Sequence, residues 1–183
     1  MGGRFPALAH NGRNNEYLVV WEGDDDTGSQ GEGDSEIWGQ RIAGATGVEL
    51  GTNDFLISSM GTDGSTSTSR SASHARVAFR PDAAEYLVVW RADDDLPLVN
   101  DELEVFGQVV DASGAAVGLD DFRISDMGTD GDKWRAAQFP RVVFAGATGE
   151  YLVAWLGDDV DDNFNMVFGQ LIASHLMDIF VGN

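Results

Sequence analysis

Apolar residues along this chain gather in short runs, and the runs come round in the same order three times. The clearest is Glu16-Tyr-Leu-Val-Val-Trp21, which returns as Glu85-Tyr-Leu-Val-Val-Trp90 and Glu150-Tyr-Leu-Val-Ala-Trp155. No polar residue alternates between the Tyr and the Trp, so each run predicts a β-strand buried on both faces. A shorter apolar segment precedes each copy: Ala7-Leu-Ala9, Arg76-Val-Ala-Phe79 and Arg141-Val-Val-Phe144. Tyr17, Tyr86 and Tyr151 follow ten residues after Ala7, Arg76 and Arg141. The residues between are turn chemistry (Asn-Gly-Arg-Asn-Asn, Pro-Asp-Ala-Ala, Ala-Gly-Ala-Thr-Gly), so each pair of segments reads as a hairpin.

An acidic loop then leads to a third strand: Glu36-Ile-Trp-Gly-Gln-Arg-Ile42, Glu104-Val-Phe-Gly-Gln-Val-Val110 and Met166-Val-Phe-Gly-Gln-Leu-Ile172. The shared Gly-Gln marks a bulge or a close backbone approach, because a glycine weakens a strand interior without such a reason. A Gly-rich turn precedes a fourth strand, Phe55-Leu-Ile-Ser58 and Phe122-Arg-Ile-Ser125, and both run on into Met-Gly-Thr-Asp-Gly at 60–64 and 127–131. Residues 178–181 of the third unit read as a trimmed fourth strand.

The repeat length is 69 residues from Tyr17 to Tyr86 and 65 from Tyr86 to Tyr151. These features predict an all-β fold of three four-stranded antiparallel repeat units. Residues 1–183 form one repeat domain, with units at about 4–70, 71–137 and 138–183. β-Propeller blades are the favoured architecture, since a blade is covered on both faces by its neighbours. A threefold β-trefoil or β-prism is the alternative, although its units are usually shorter.

The pattern Glu-Tyr-Leu-Val-Val-Trp, acidic loop, Ile-Trp-Gly-Gln-Arg, Phe-x-Ile-Ser resembles a repeat of large bacterial extracellular and surface proteins. The resemblance runs to about Ile172 and implies propeller-like blades, an extracellular or cell-surface location in a bacterium, and no particular activity. The N-terminus, Met1-Gly-Gly-Arg-Phe-Pro6, lacks the apolar core of a signal peptide.

Three blades are fewer than the roughly four to eight that close a propeller. Each end face then exposes residues suited to burial, and covering a few hundred Å² is worth on the order of 5–10 kcal/mol at ~25 cal/mol/Å². Two chains joined head to tail would close a six-bladed ring, so a homodimer is expected. A piece of a longer array, or a monomeric trefoil or prism, would account for the same count.

Composition narrows the partners. The formal charge is -20, from 31 acidic and 11 basic side chains. A field of that sign repels phosphate backbones, so neither nucleic acid nor an anionic membrane surface is an expected partner; cations and neutral glycans remain. The chain has no cysteine, which excludes disulfides and thiolate metal sites. No apolar run approaches the ~18 residues of a membrane span.

The strongest chemical signal is the acidic loop just beyond each Trp strand. The candidate ligands are Asp24, Asp25 and Asp26, then Asp93, Asp94 and Asp95, then Asp158 and Asp159. Such clustered hard oxygens suit Ca²⁺, which takes six to eight oxygen ligands. The returning strand adds Asp34 and Glu36, or Asp101, Glu102 and Glu104, while Met166 replaces the glutamate in the third unit. A solvated acidic loop that discourages edge pairing explains the same residues.

Glu16, Glu85 and Glu150 recur before the Tyr and either line a shared surface or pair with Arg76 and Arg141 on the neighbouring strand. Pairing is favoured, although Ala7 offers no charge partner in the first unit. Trp21, Trp90, Trp155 and Trp38 read as core. Trp134, outside the repeat pattern beside Lys133 and Arg135, is the candidate ligand-binding residue, able to stack on a sugar ring or pack under a loop. His10, His74 and His175 share no repeat position, and His10 stands where Phe79 and Phe144 do.

No nucleophile elbow, zinc-binding helix or phosphate loop is present, and no catalytic residue can be assigned. The expected function is a non-catalytic binding or structural module, calcium-stabilised and glycan-binding. The alternative is a glycoside hydrolase using paired carboxylates at the propeller mouth.

Overall fold

The computed structural model describes residues 2–24, 35–60, 71–93, 101–158 and 165–173. They form three antiparallel sheets, as the all-β reading requires. The first sheet runs β1 (Gly3–Asn11), β2 (Glu16–Asp24), β3 (Ser35–Ala43), β4 (Glu49–Leu56), in that spatial order. The second repeats it with β5 (Ser73–Arg80), β6 (Glu85–Ala92), β7 (Glu104–Asp111) and β8 (Ala116–Arg123). The third holds β9 (Ala137–Ala145), β10 (Glu150–Gly157) and β11 (Met166–Ala173). The expected trimmed strand at 178–181 lies outside the described residues. β1 lies against β5 and β5 against β9, so the first strand of each sheet is the inner one and β4 and β8 lie outermost.

Two apolar layers hold the sheets together. Between the first and second, Leu18, Val20 and Ile37 meet Tyr86, Val88 and Trp90. Between the second and third, Leu87, Val89 and Val105 meet Tyr151, Val153 and Trp155. The middle sheet is thus covered on both sides, and β6 and β7 are buried almost end to end. In β10 burial alternates instead, with Leu152 and Leu156 left exposed. The twice-buried reading of the Tyr-to-Trp strand therefore holds for β6. Among the described residues β2 and β10 have a sheet against one face only, because each belongs to an end sheet.

The Gly-Gln motif answers two packing demands. A Cβ on Gly39 would sit 2.7 Å from Ile57 Cδ1, and one on Gly107 would sit 2.9 Å from Ile124 Cδ1, so glycine makes room for the Ile of Phe-x-Ile-Ser. The glutamine then bridges a break in the outer strand's register. Gln40 Nε2 donates to the Arg41 and Leu50 carbonyls, while its Oε1 accepts from Asp54 N at 2.9 Å. Gln108 does the same with Val109, Val117 and Asp121.

The expected glutamate pairings need correction. Glu16 pairs with Arg41 at 2.8 Å and Glu85 with Arg80 at 2.9 Å. Arg41 lies beside Glu16 across the β2–β3 ladder and Arg80 faces Glu85 across the β5–β6 hairpin. Arg76 pairs by register with Val89, and Arg141 with Ala154, well along the ladder from the glutamates.

Candidate functional site

Strand register puts the chemistry at one rim. Gly3 pairs with Gly23, Ser73 with Arg91 and Ala137 with Gly157, so each inner strand starts beside the end of a Trp strand. The acidic segments after the Trp strands leave from this rim. The connections following Phe-x-Ile-Ser, including the one that carries Trp134, enter β5 and β9 there as well.

Each inner strand is bulged near its start, between Arg4 and Ala7, between Ser73 and Arg76, and between Gln138 and Arg141. At each bulge one non-glycine residue holds a left-handed backbone: Phe5 (φ 49°), His74 (φ 59°) and Phe139 (φ 52°). Such a conformation costs about 1–3 kcal/mol, and strain of this kind gathers at functional sites. Here it recurs at the same place in all three sheets. The rings meet: Phe5 stacks on His74 with centroids 4.6 Å apart, and His74 meets Phe139 edge-on at 5.2 Å. Phe5 and Phe139 keep about half of their surface exposed.

The electrostatics around this trio are cationic despite the acidic chain. Burial, then the charge of Arg91, pushes the His74 imidazole below its ordinary value, which favours the uncharged ring in the stack. Its backbone N–H donates to Glu22 at 3.3 Å, and Arg91 donates to the Ser73 hydroxyl at 3.2 Å. Burial and the neighbouring Arg141 likewise lower Arg76. Arg76 and Arg141 each donate to the carbonyl of the residue before it, Ala75 and Pro140, at 2.6 and 2.9 Å. The sequence reading began these strands at Ala7, Arg76 and Arg141 and so missed the trio. The signal available was a Phe-Pro pair at 5–6 and 139–140, at one repeat position.

Glu36 and Glu104, expected to face the Asp clusters, turn inward. Glu104 accepts from the Ser125 hydroxyl, from Met127 N at 2.6 Å and from Arg123 at 3.0 Å. Glu36 accepts from the Ser58 hydroxyl and from Met60 N at 2.9 Å. The same serines accept from Ile37 N at 2.8 Å and Val105 N at 2.7 Å. The glutamate and the Ser and Met of Phe-x-Ile-Ser-x-Met are therefore one buried clamp, which fixes how the chain leaves β4 and β8. Buried carboxylates demand such partners, and a backbone amide is the nearest source.

Asp93 is also buried, accepting from Asp101 N at 2.7 Å, and Glu102 accepts from Gly131 N at 2.9 Å. Asp158 is half-buried at the end of β10, and Asp24 is the last residue of β2. Asp25, Asp26, Asp94, Asp95 and Asp159 lie outside the described residues, as do Asp34 and His175. Among the described residues no three carboxylates or histidines gather in a metal-holding cluster.

The second Met-Gly-Thr-Asp-Gly is a turn, with Gly128 and Gly131 at positive φ and Asp130 paired to Arg123 at 2.8 Å. Trp134 is 82% exposed, with the Lys133 ammonium 5.6 Å from its ring centre. His10 is exposed and packs its ring on Tyr17 at 4.8 Å.

No protein-family model matches this chain, and no curated protein matches it in sequence. Its fold is similar to solved structures. A Hadza microbial sialidase superposes with a TM-score of 0.67 at 13% identity, over 96% of this chain and 36% of the sialidase. An N-acetylgalactosamine deacetylase from F. plautii, solved with blood group B trisaccharide, superposes with a TM-score of 0.55 at 12% identity, over 96% of this chain and 51% of that one. The chain thus spans about a third to a half of the length of these structures. At such identities the likeness is one of fold, and it is consistent with blade-like sheets of the β-propeller type.

Proposed function

We propose that this chain is a non-catalytic, glycan-binding module of β-propeller blades, working outside the cell or on the surface of a bacterium. The observation that carries the reading is the Phe5–His74–Phe139 trio, held at a strained rim by three matching bulges and half open to solvent. Aromatic faces bind the apolar faces of sugar rings while neighbouring polar groups read the hydroxyls. Exposed Trp134 supplies a further ring on the same rim, and Arg76 and Arg141 favour sugars that carry a carboxylate. Both deacetylase and sialidase are named for glycan chemistry, which agrees with a glycan as the ligand class.

Ca²⁺ belongs to the same reading as a stabiliser of the acidic segments. Asp93 already caps a backbone amide, so the ligand role falls on the remaining aspartates of those segments. The hydrolase reading is less well supported, because Glu36 and Glu104 are spent inside the clamp rather than turned to the rim.

A glycan array probed in Ca²⁺, followed by calorimetry on the best ligand, tests the assignment. Phe139→Ala and Trp134→Ala should each weaken binding tenfold or more without loss of fold. A chain that retains no glycan, or release of reducing sugar from polysaccharide, contradicts the non-catalytic binding role. Chelation should lower the melting temperature by several degrees, and an unchanged melt removes calcium from the proposal.

A further inference from the structure

The two outer faces of the structure differ in kind, and each matches what the other lacks. At both internal junctions a Leu-bearing face of one sheet packs on a Tyr/Trp-bearing face of the next. The Leu18 and Val20 side of β2 meets the Tyr86 and Trp90 side of β6, and the Leu87 and Val89 side of β6 meets the Tyr151 and Trp155 side of β10. The contact is heterologous and runs in one direction along the chain.

Among the described residues the third sheet ends on a Leu-bearing face with no sheet against it. By register Val143, Leu152 and Leu171 form one row across β9, β10 and β11, and Leu156 and Val167 lie in another. Leu171 is 59% exposed and Val167 76%. Their counterparts by repeat position, Val109 and Val105, are buried in the second junction. The first sheet ends on the opposite kind of face, with Tyr17, Val19 and Trp21 half-buried and Leu8 62% exposed. His10 sits 4.8 Å from Tyr17, in the same ring pairing as Phe79 with Tyr86 at 4.9 Å and Phe144 with Tyr151 at 5.1 Å. Those two pairs lie within the junctions. The first is open.

We propose that a second copy of this chain covers these faces: the Val143–Leu152–Leu171 face of one copy seats on the Leu8–Val19–Trp21 face of the other, and the reverse contact closes a ring. The chain makes this junction twice within itself, so the third is the same interface continued between molecules. Heterologous contacts either close or grow into filaments. Closure at two copies gives six sheets, inside the range of about four to eight that propellers use, whereas one copy or three fall outside it. Histidine in place of phenylalanine at position 10 makes this junction the more polar of the set and suited to an association between chains.

Sedimentation velocity at physiological salt tests the proposal with two surface variants, Leu171→Asp on one face and Val19→Lys on the other. The unaltered chain should sediment at twice the 19.7 kDa of a single chain. Each variant alone should sediment as one chain with an unchanged circular dichroism spectrum. An equimolar mixture should return to two chains, because it restores one intact contact and sets Asp against Lys at the other. An unaltered chain that sediments singly or as an open ladder overturns the proposal, as does a mixture that stays dissociated. A single variant that remains a dimer would mark a self-matching interface and overturns it too.

Discussion

β6 and β10 carry nearly the same residues, Tyr86-Leu-Val-Val-Trp90 and Tyr151-Leu-Val-Ala-Trp155, and meet different surroundings. All five residues of the first are buried. In the second, Tyr151, Val153 and Trp155 are buried while Leu152 and Leu156 reach solvent. A strand with no polar alternation therefore encodes a sheet with two covered faces, even where this chain supplies only one cover. What separates the sheets is position in the stack, and the strand chemistry is common to all three.

Removing the same side chain from the middle and from an end should expose that difference most strongly. Trp90→Ala empties a fully buried site and should cost about 3–5 kcal/mol. Trp21→Ala, on the half-covered outer face, should cost less than half as much in urea titrations of dissociated chain. Equal losses would mean that the end face is as well covered as the middle.

The buried clamp offers the next contrast. Glu36→Ala and Glu104→Ala each strand a backbone N–H and a serine hydroxyl, for a loss of about 2–3 kcal/mol by chemical denaturation. Met166→Ala, at the same repeat position in the third sheet, should cost less, since Met166 is exposed and makes no such clamp.

A pH series refines the clamp further. Burial pushes the Glu104 carboxyl above its ordinary 4.5, against the opposing pull of Ser125, the Met127 N–H and Arg123. An acid whose folded-state pKa is raised contributes its stability fully below the unfolded value, and that contribution is lost as pH rises through the folded pKa. The native chain should therefore lose stability relative to Glu104→Gln as pH climbs above 4.5. A difference of the opposite slope would show that Arg123 governs this carboxyl. The smallest effect is expected at Trp134→Ala, within about 0.5 kcal/mol of the native stability, because its ring is almost wholly in solvent.

Much of this contrast was legible along the chain. The Tyr-to-Trp runs and the Gly-Gln pairs mark strands at a fixed repeat, and the structure has strands there. The inner strands begin earlier than Ala7, Arg76 and Arg141, at Gly3, Ser73 and Ala137. β4 and β8 end at Leu56 and Arg123, so the Ile-Ser of each expected fourth strand lies just past it. Contacts between motifs were not legible. Glu104 and Ser125 are both conspicuous repeat positions, yet only the fold brings them together, and a free carboxylate beside an Asp cluster was the natural reading. Glu85 meets Arg80 rather than Arg76, and Glu16, with no partner offered at Ala7, meets Arg41, because strand register, unseen in sequence, decides which charges meet.

The Phe5–His74–Phe139 trio was hidden for a different reason. Its members differ in residue type, and a left-handed backbone at a bulky residue has no propensity signal. The two Phe-Pro steps mark the place only after the bulges are known.

The decisive quantity is the mass of the unaltered chain in solution, measured by light scattering behind size exclusion over a dilution series. Two chains per particle, falling to one only at high dilution, is the expected result. A particle of 19.7 kDa at every concentration, with a sharp and concentration-independent melt, would mean that the bare Leu and Trp faces are tolerated in water and that no second copy covers them.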